Sequence, residues 1–272
     1  MTEPRTGSAD WTGAIPLVVA HAKRERARAL VRNAFPRRKG RLVFARSAAE
    51  VDEVLRTSLV DAVVVDIGAA QEEAWKVSAL AGDHPTAAFF AVTPLRVGDA
   101  PALADCAHRD FAGVLIEGVD DAVARTIVMR AAFSTRFARA LNDPPPSLSL
   151  SSALQRSVWR LVIEHAGRPV RTSALAAALG MTREHLSRSF SANGSPNLKR
   201  VIDLVRVIAA AELAKNPGLD LRDVSSVLGF ASPSHLSTTA MRIAGTKPAS
   251  LTRLRTIDIL ERFSRGNGRS RR

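Results

Sequence analysis

Several things are missing from this chain of 272 residues. It has one cysteine, Cys106, so no internal disulfide framework can form, and such usage fits a reducing cytoplasm. No apolar run approaches the roughly 20 residues that span a bilayer. The opening MTEPRTGSADWTG has no basic start followed by an apolar core. It does not read as a signal peptide, and residues 1–14 are expected to be disordered. The six histidines, at 21, 84, 108, 165, 185 and 235, lack cysteine partners and ligand-like spacing. That argues against a zinc site, and no metal or other cofactor is expected.

Acidic residues are also scarce, but only in one half. Residues 1–138 carry 18 Lys/Arg against 17 Asp/Glu, whereas residues 139–272 carry 21 against 9. Nearly all of the formal charge of +13 therefore sits in the second half. With 46% apolar and 24% charged residues the chain is ordinarily globular, and its length allows two domains with a core in each. Such asymmetry is the electrostatic footprint of a polyanion-binding module beside a neutral one. Between them lies NDPPPSLSLSS, from Asn142 to Ser152. Consecutive prolines favour an extended spacer, so residues 139–150 read as a linker.

The basic half says nearly the same thing twice: GMTREHLSRSF from Gly180 and GFASPSHLSTTAM from Gly229. Before the first phrase, RTSALAAAL (Arg171 to Leu179) has Leu175 and Leu179 four apart and Thr172 as a candidate cap. Gly180 suits a left-handed helix end. Thr182 then caps a second helix with Leu186 and Phe190 inward, and Arg183, Glu184, Ser187, Arg188 and Ser191 outward. Before the second phrase, Asp220 caps a helix carrying Val224, Val227 and Leu228. Ser232 and Pro233 then open a helix with Leu236, Ala240 and Ile243 inward. Ser234, Ser237, Thr238 and Met241 point out, with Arg242 at the edge. Two short helices joined at a glycine, the second with a polar face, match a helix-turn-helix. An intervening helix of about 18 residues would be roughly 27 Å long. It would hold two recognition helices near the ~34 Å repeat of the major groove on one side of a duplex.

The stretch from 151 to 255 resembles the DNA-binding domain of AraC/XylS-type transcriptional regulators. The resemblance runs through LAAALGMTREHLSRSF, the helix around Arg206, and VSSVLGFASPSHLSTTAMRIAGTKPASL. It implies that Arg183, Glu184, Ser187 and Arg188, with Ser234, His235, Ser237 and Thr238, face the major groove. Arg242 is added at the margin. Such families usually carry a basic residue where this chain has Thr238 and a large aromatic where it has Ala240, which points to a weakened second recognition helix. His185 and His235 read better as partly buried packing residues than as base readers. The domain is set at 151–258. The tail from 259, with five arginines in RFSRGNGRSRR, is expected to be flexible and to add phosphate attraction.

In the neutral half, IPLVVAHA, GRLVFARS, DAVVVDIG, AAFFAVTP and FAGVLIEG alternate with helical material. Short apolar runs between helices imply a parallel sheet covered on both faces, a flavodoxin-like doubly wound domain. The loop PRRKGR (Pro36 to Arg41) reads as solvated. Residues 15–138 resemble the receiver domain of response regulators, with Asp66 in the phospho-acceptor position and Thr93 in the hydroxyl position. That resemblance also implies an acidic pair holding Mg²⁺ and a lysine on the fifth strand. Here Ala20-His21 and Glu117 stand in those places, and a glutamate would repel a phosphoryl group. The fold class is thus α/β receiver-like followed by an all-α double helix-turn-helix.

The function expected is a sequence-specific, cytoplasmic DNA-binding regulator that binds double-stranded DNA and is not an enzyme. Its pseudo-receiver is expected to form a homodimer, or to take a small ligand or protein partner at its strand ends, with no membrane contact. Three alternatives stand beside it. One is a response regulator gated by phosphorylation of Asp66. Another is a DNA-repair methyltransferase-like enzyme using Cys106, whose context ALADCAHRD lacks a Pro-Cys-His-Arg pattern. The third is a sequence-indifferent architectural protein.

Overall fold

Each of the five apolar runs becomes a strand. The computed structural model describes residues 15–68, 72–109 and 111–269; the expected disorder of residues 1–14 and the last residues of the expected tail lie outside them. The strands are β1 (Leu17–His21), β2 (Arg41–Phe44), β3 (Ala62–Asp66), β4 (Ala88–Thr93) and β5 (Gly113–Ile116). They form one parallel sheet in the order β2-β1-β3-β4-β5, the flavodoxin-like winding in which the chain reverses direction at β1/β3. The central strands β1, β3 and β4 are buried along their whole length, whereas the edge strands are only partly covered.

Alternate strand residues feed two separate cores, as the twofold period of a strand requires. Val19, Val63, Val65 and Ala91 pack with Val51, Leu55, Val77 and Cys106, from α2 (Ala48–Thr57), α3 (Glu72–Asp83) and α4 (Ala100–His108). On the other face Val18, Ala20, Val64 and Phe90 pack with Ala27, Leu30, Val31 and Val128, from α1 (Glu25–Ala34) and α5 (Ala124–Ala131). Burying about 25 cal/mol per Å² on both faces is what makes unbroken apolar runs suit this sheet.

The rest is helical: α6 (Phe133–Ala140), α7 (Ala153–Glu164), α8 (Thr172–Ala178), α9 (Arg183–Phe190), α10 (Leu198–Leu213), α11 (Leu221–Val227), α12 (Pro233–Ala244) and α13 (Thr256–Arg269). At its centre is α10, with 13 of its 16 residues buried. Among the described residues no helix is long and apolar enough to cross a membrane.

Three boundaries differ from the sequence reading. The doubly wound sheet and its helices are followed by α6, whose Phe133 and Phe137 stack at 5.6 Å between ring centroids and join the core of the helical half. The expected spacer is likewise drawn in. Its prolines do make an irregular path, but Leu141, Leu148 and Leu150 are buried in the same core, and the Trp159 indole donates to the Leu141 carbonyl (2.7 Å). Leucines spaced between serines can bury one side of a segment that has no regular period. The tail expected to be flexible from 259 is helical through Arg269, because Ile259, Leu260 and Phe263 bury one stripe of α13.

The halves are also fastened to each other. Asp61, fully buried, accepts from the Leu17 amide (3.0 Å), the Ser134 amide (3.0 Å) and Arg168 Nη2 (3.0 Å). Asn216 exchanges two hydrogen bonds with Thr86 (3.0 and 2.7 Å). Arg56 on α2 bridges Asp52 and Asp223 on α11, at 2.8 Å each.

Candidate nucleic-acid interface and strand-end cluster

The geometry of α9 and α12 begins with caps. Thr182 accepts the His185 amide at the start of α9, and Ser232 accepts the His235 amide at the start of α12. Asp220 caps α11 through the amides of Arg222 and Asp223. Each such cap contributes about 1 kcal/mol. Thr172, expected as a cap, is instead the first residue of α8, and Arg171 precedes it with no side-chain cap bond. Gly180, Gly229 and Gly245 have φ near +60°, where a side chain is strained.

Leu186, Phe190, Leu236, Ala240 and Ile243 are buried. Arg183, Glu184 and Arg188 on α9, and Ser234, His235, Thr238 and Arg242 on α12, are exposed, with Ser187 and Ser237 half-buried. His185 is exposed as well, contrary to its expected packing role, because it falls on the same side as Arg188. His235 is also exposed, yet it meets Phe230 edge-on at 5.6 Å.

Three differences separate the two faces. On α12 the Ser237 hydroxyl donates to the Pro233 carbonyl (2.9 Å) and Thr238 donates to that of Ser234 (3.0 Å). Both protons are spent within their own helix. Arg242 Nη2 donates to Asp203 on α10 (2.7 Å). Among the described residues Arg183 and Arg188 have no such partner, so their guanidinium groups face outward unengaged.

Sequence reasoning missed two basic groups beside Arg183. A cleft of about 370 Å³ between the starts of α8 and α9 and the side of α10 is lined by Arg171, Arg183 and Lys199, with Arg206 and Asp203 at its base. Arg171 just ahead of α8 and Lys199 in the first turn of α10 were the signals available. Arg206 itself holds the second turn together. Its guanidinium lies 3.8 Å over the Phe230 ring and donates to the carbonyls of Leu228 (3.1 Å) and Gly229 (3.2 Å). Burial lowers its pKa below the ordinary arginine value, against the pull of Asp203.

At the sheet's C-terminal edge the fold does gather Asp66, Thr93 and Glu117. What sequence reasoning missed is Arg24, the residue preceding α1. Its Nε donates to Asp66 Oδ1 (2.9 Å) and its amide to Oδ2 (3.0 Å), and the same guanidinium pairs with Glu117. Burial works against this charge, but the two carboxylates outweigh it and raise the Arg24 pKa. Gly68 leaves the room: a Cβ there would stand 2.7 Å from Arg24 Cζ. Two carboxylates at the C-terminal ends of β3 and β5 require a cation, and AKRER directly after β1 offered one. Thr93 turns away, donating to Asp99 Oδ2 (2.5 Å). His21 Nδ1 lies 3.1 Å from the Ala45 carbonyl. The residues present do not fit Mg²⁺: the acidic pair is absent and a guanidinium already covers Asp66. Among the described residues no group of three His, Cys, Asp or Glu side chains could hold a metal ion.

Residues 175–253 match a family described as a helix-turn-helix domain. The match begins within α8 and runs past α12, so it contains both units. No curated protein matches the chain. Among solved structures, full-length FixJ from B. japonicum is similar at 13% identity over 83% of this chain and 96% of that one, with a TM-score of 0.37.

Proposed function

With residues 175–253 an AraC-type helix-turn-helix domain, we propose that the protein is a sequence-specific transcriptional regulator. Its α9 and α12 read successive major-groove segments, under the influence of a receiver-like half that is not phosphorylated. One observation carries the reading: two side-chain-capped helices with exposed polar faces flank a single buried helix, α10, inside the half that holds the charge excess. At 16 residues α10 is about 24 Å long, which with the helix radii spans close to one ~34 Å groove repeat.

Homodimer formation and action in the cytoplasm belong to the same proposal. An enzymatic role finds no support at the cysteine. Cys106 is buried, and burial pushes its thiol up to about 11, away from the thiolate a nucleophile needs. A phosphorylation gate is disfavoured because Arg24 occupies both oxygens' side of Asp66 and pairs with Glu117.

The test uses the full chain. Duplexes selected from a random pool should share a sequence, and affinity should fall steeply with salt, because several phosphate contacts release counterions. Equal affinity for selected and scrambled duplexes would leave only an architectural role. Incubation with acetyl phosphate and Mg²⁺ should produce no mass gain; a near-stoichiometric phosphoryl adduct lost in Asp66→Asn would restore the phosphorylation gate.

A further inference from the structure

The two halves meet around a cavity of about 450 Å³, within the roughly 300–1,000 Å³ typical of small-molecule sites and at the kind of junction where such sites concentrate. Its floor is apolar: the stacked rings of Phe133 and Phe137 from α6, with Ile208 from α10. Its rim is charged and contains Arg136, Glu212 and Lys215. Lys215 Nζ pairs with Glu212 (2.7 Å), so these two charges offset each other. Arg136 donates through Nη2 to the Thr86 carbonyl (2.6 Å). Among the described residues no carboxylate pairs with it, and the remaining N–H groups of its guanidinium fork are uncommitted.

We propose that this cavity is a binding site for a small organic monocarboxylate with an aromatic or aliphatic body, whose occupancy adjusts how the two halves are held together. The rim carries a net charge of one, on a group whose planar fork suits a carboxylate. The apolar floor suits a hydrocarbon body and disfavours inorganic anions. This inference rests on the regulatory reading above. It differs from a ligand at the strand ends, where Arg24 already fills the space.

Coupling follows from who supplies the walls. Thr86, on the rim, is also the residue that exchanges two hydrogen bonds with Asn216, within the chain segment between α10 and α11. Neighbouring His84 lies against Gly218, whose amide donates to the Asp83 carbonyl (2.9 Å). A ligand held by Arg136 therefore touches the same seam that positions α11, and shifts DNA affinity only by its preference for one seam arrangement.

The test is calorimetric titration of the full-length protein with 3-phenylpropionate, benzoate and octanoate, and with benzamide as the uncharged control. At least one acid should bind with Kd below about 1 mM, a modest demand for some ten heavy atoms, and benzamide at least tenfold more weakly. Arg136→Gln should weaken the acid at least tenfold. Ala140→Phe, which fills the cavity from an exposed lining position, should abolish binding while leaving the melting temperature near that of the parent. Absence of binding by all three acids, or binding undiminished in either variant, would overturn the site. The bound acid should change affinity for a selected duplex at least threefold in the parent and not in Ala140→Phe; no change in the parent would overturn the coupling. If the protein bound no DNA at all, the regulatory reading would fail while calorimetry still judged the cavity.

Discussion

The two helix-turn-helix units share a phrase, a glycine turn and a side-chain cap, but the protein holds them differently. The first is fixed mainly by its neighbour α7, where buried Gln155 donates to the Phe190 carbonyl (2.8 Å) and to Ser195 (2.7 Å). Its Arg183 and Arg188 are exposed, with no partner among the described residues. The second is held from several directions: Arg206 over Phe230, Pro169 against Gly229, and Arg56 on Asp223. The one arginine of α12, Arg242, is tied to Asp203. Two similar frames thus differ in their outward faces, one leaving its arginines free and the other tied into the body of the protein. Within the proposed function, base discrimination concentrates in α9 and correct placement in α12.

The strongest way to test that difference is Arg206→Ala. It removes a desolvated cation–π contact and two charge-assisted hydrogen bonds, offset by the regained hydration of the charge, for a net loss of about 2–4 kcal/mol. Hydrogen exchange should quicken in α11 and α12 and stay slow in α9; equal loss in both units would mean that they unfold as one. Arg206→Met should recover part of the packing but not the carbonyl bonds.

Next comes base reading. Arg188→Ala is expected to cost about 1–3 kcal/mol on a selected duplex and to relax preference at one or two base pairs. Thr238→Ala should cost under about 0.5 kcal/mol, the usual range for an exposed change. The ratio of affinities for selected and scrambled DNA decides the matter. A larger loss for Thr238→Ala would make α12 the reader, and an equal loss on both DNAs would make Arg188 a phosphate contact.

A smaller effect should follow from Asp203→Ala, which frees Arg242. The slope of log affinity against log salt should steepen by about one phosphate contact. An unchanged slope would mean that Arg242 does not reach the backbone. Smallest of all is Arg56→Ala. The pair with Asp223 is partly exposed, so screening keeps its loss to about 0.5 kcal/mol by chemical denaturation. A loss of several kcal/mol would show that the seam is held far more by this pair than by burial.

Most of the architecture was legible because its signals are local. Strand runs, glycine turns and the caps at Thr182, Asp220 and Ser232 depend on residues within a few positions of each other. The boundary after 132 and the helix through 269 were not legible, because what orders them is distant. Phe137, Leu148 and Phe263 are ordered by a core assembled from α7, α10 and α12, which no local window contains. The candidate sites divide in the same way. Outward positions on α9 and α12 follow from helical period, whereas the seating of Arg24 on Asp66 and Glu117 depends on three strand ends meeting. One arginine among several in the basic run ahead of and within α1 gave no hint of which carboxylates it would meet.

The burial of α10 on nearly every side has a consequence for rotational phase. Inserting one residue into it would turn everything downstream by about 100° and advance it by about 1.5 Å. A solvent-exposed helix could absorb such a change by rotating back over its surface. This one cannot, since α12, α13 and α7 grip different sides of it at once. Natural variation in the spacing between α9 and α12 should therefore be confined to the turns on either side of α10, at 191–197 and 214–220, while the helix itself keeps a fixed residue count.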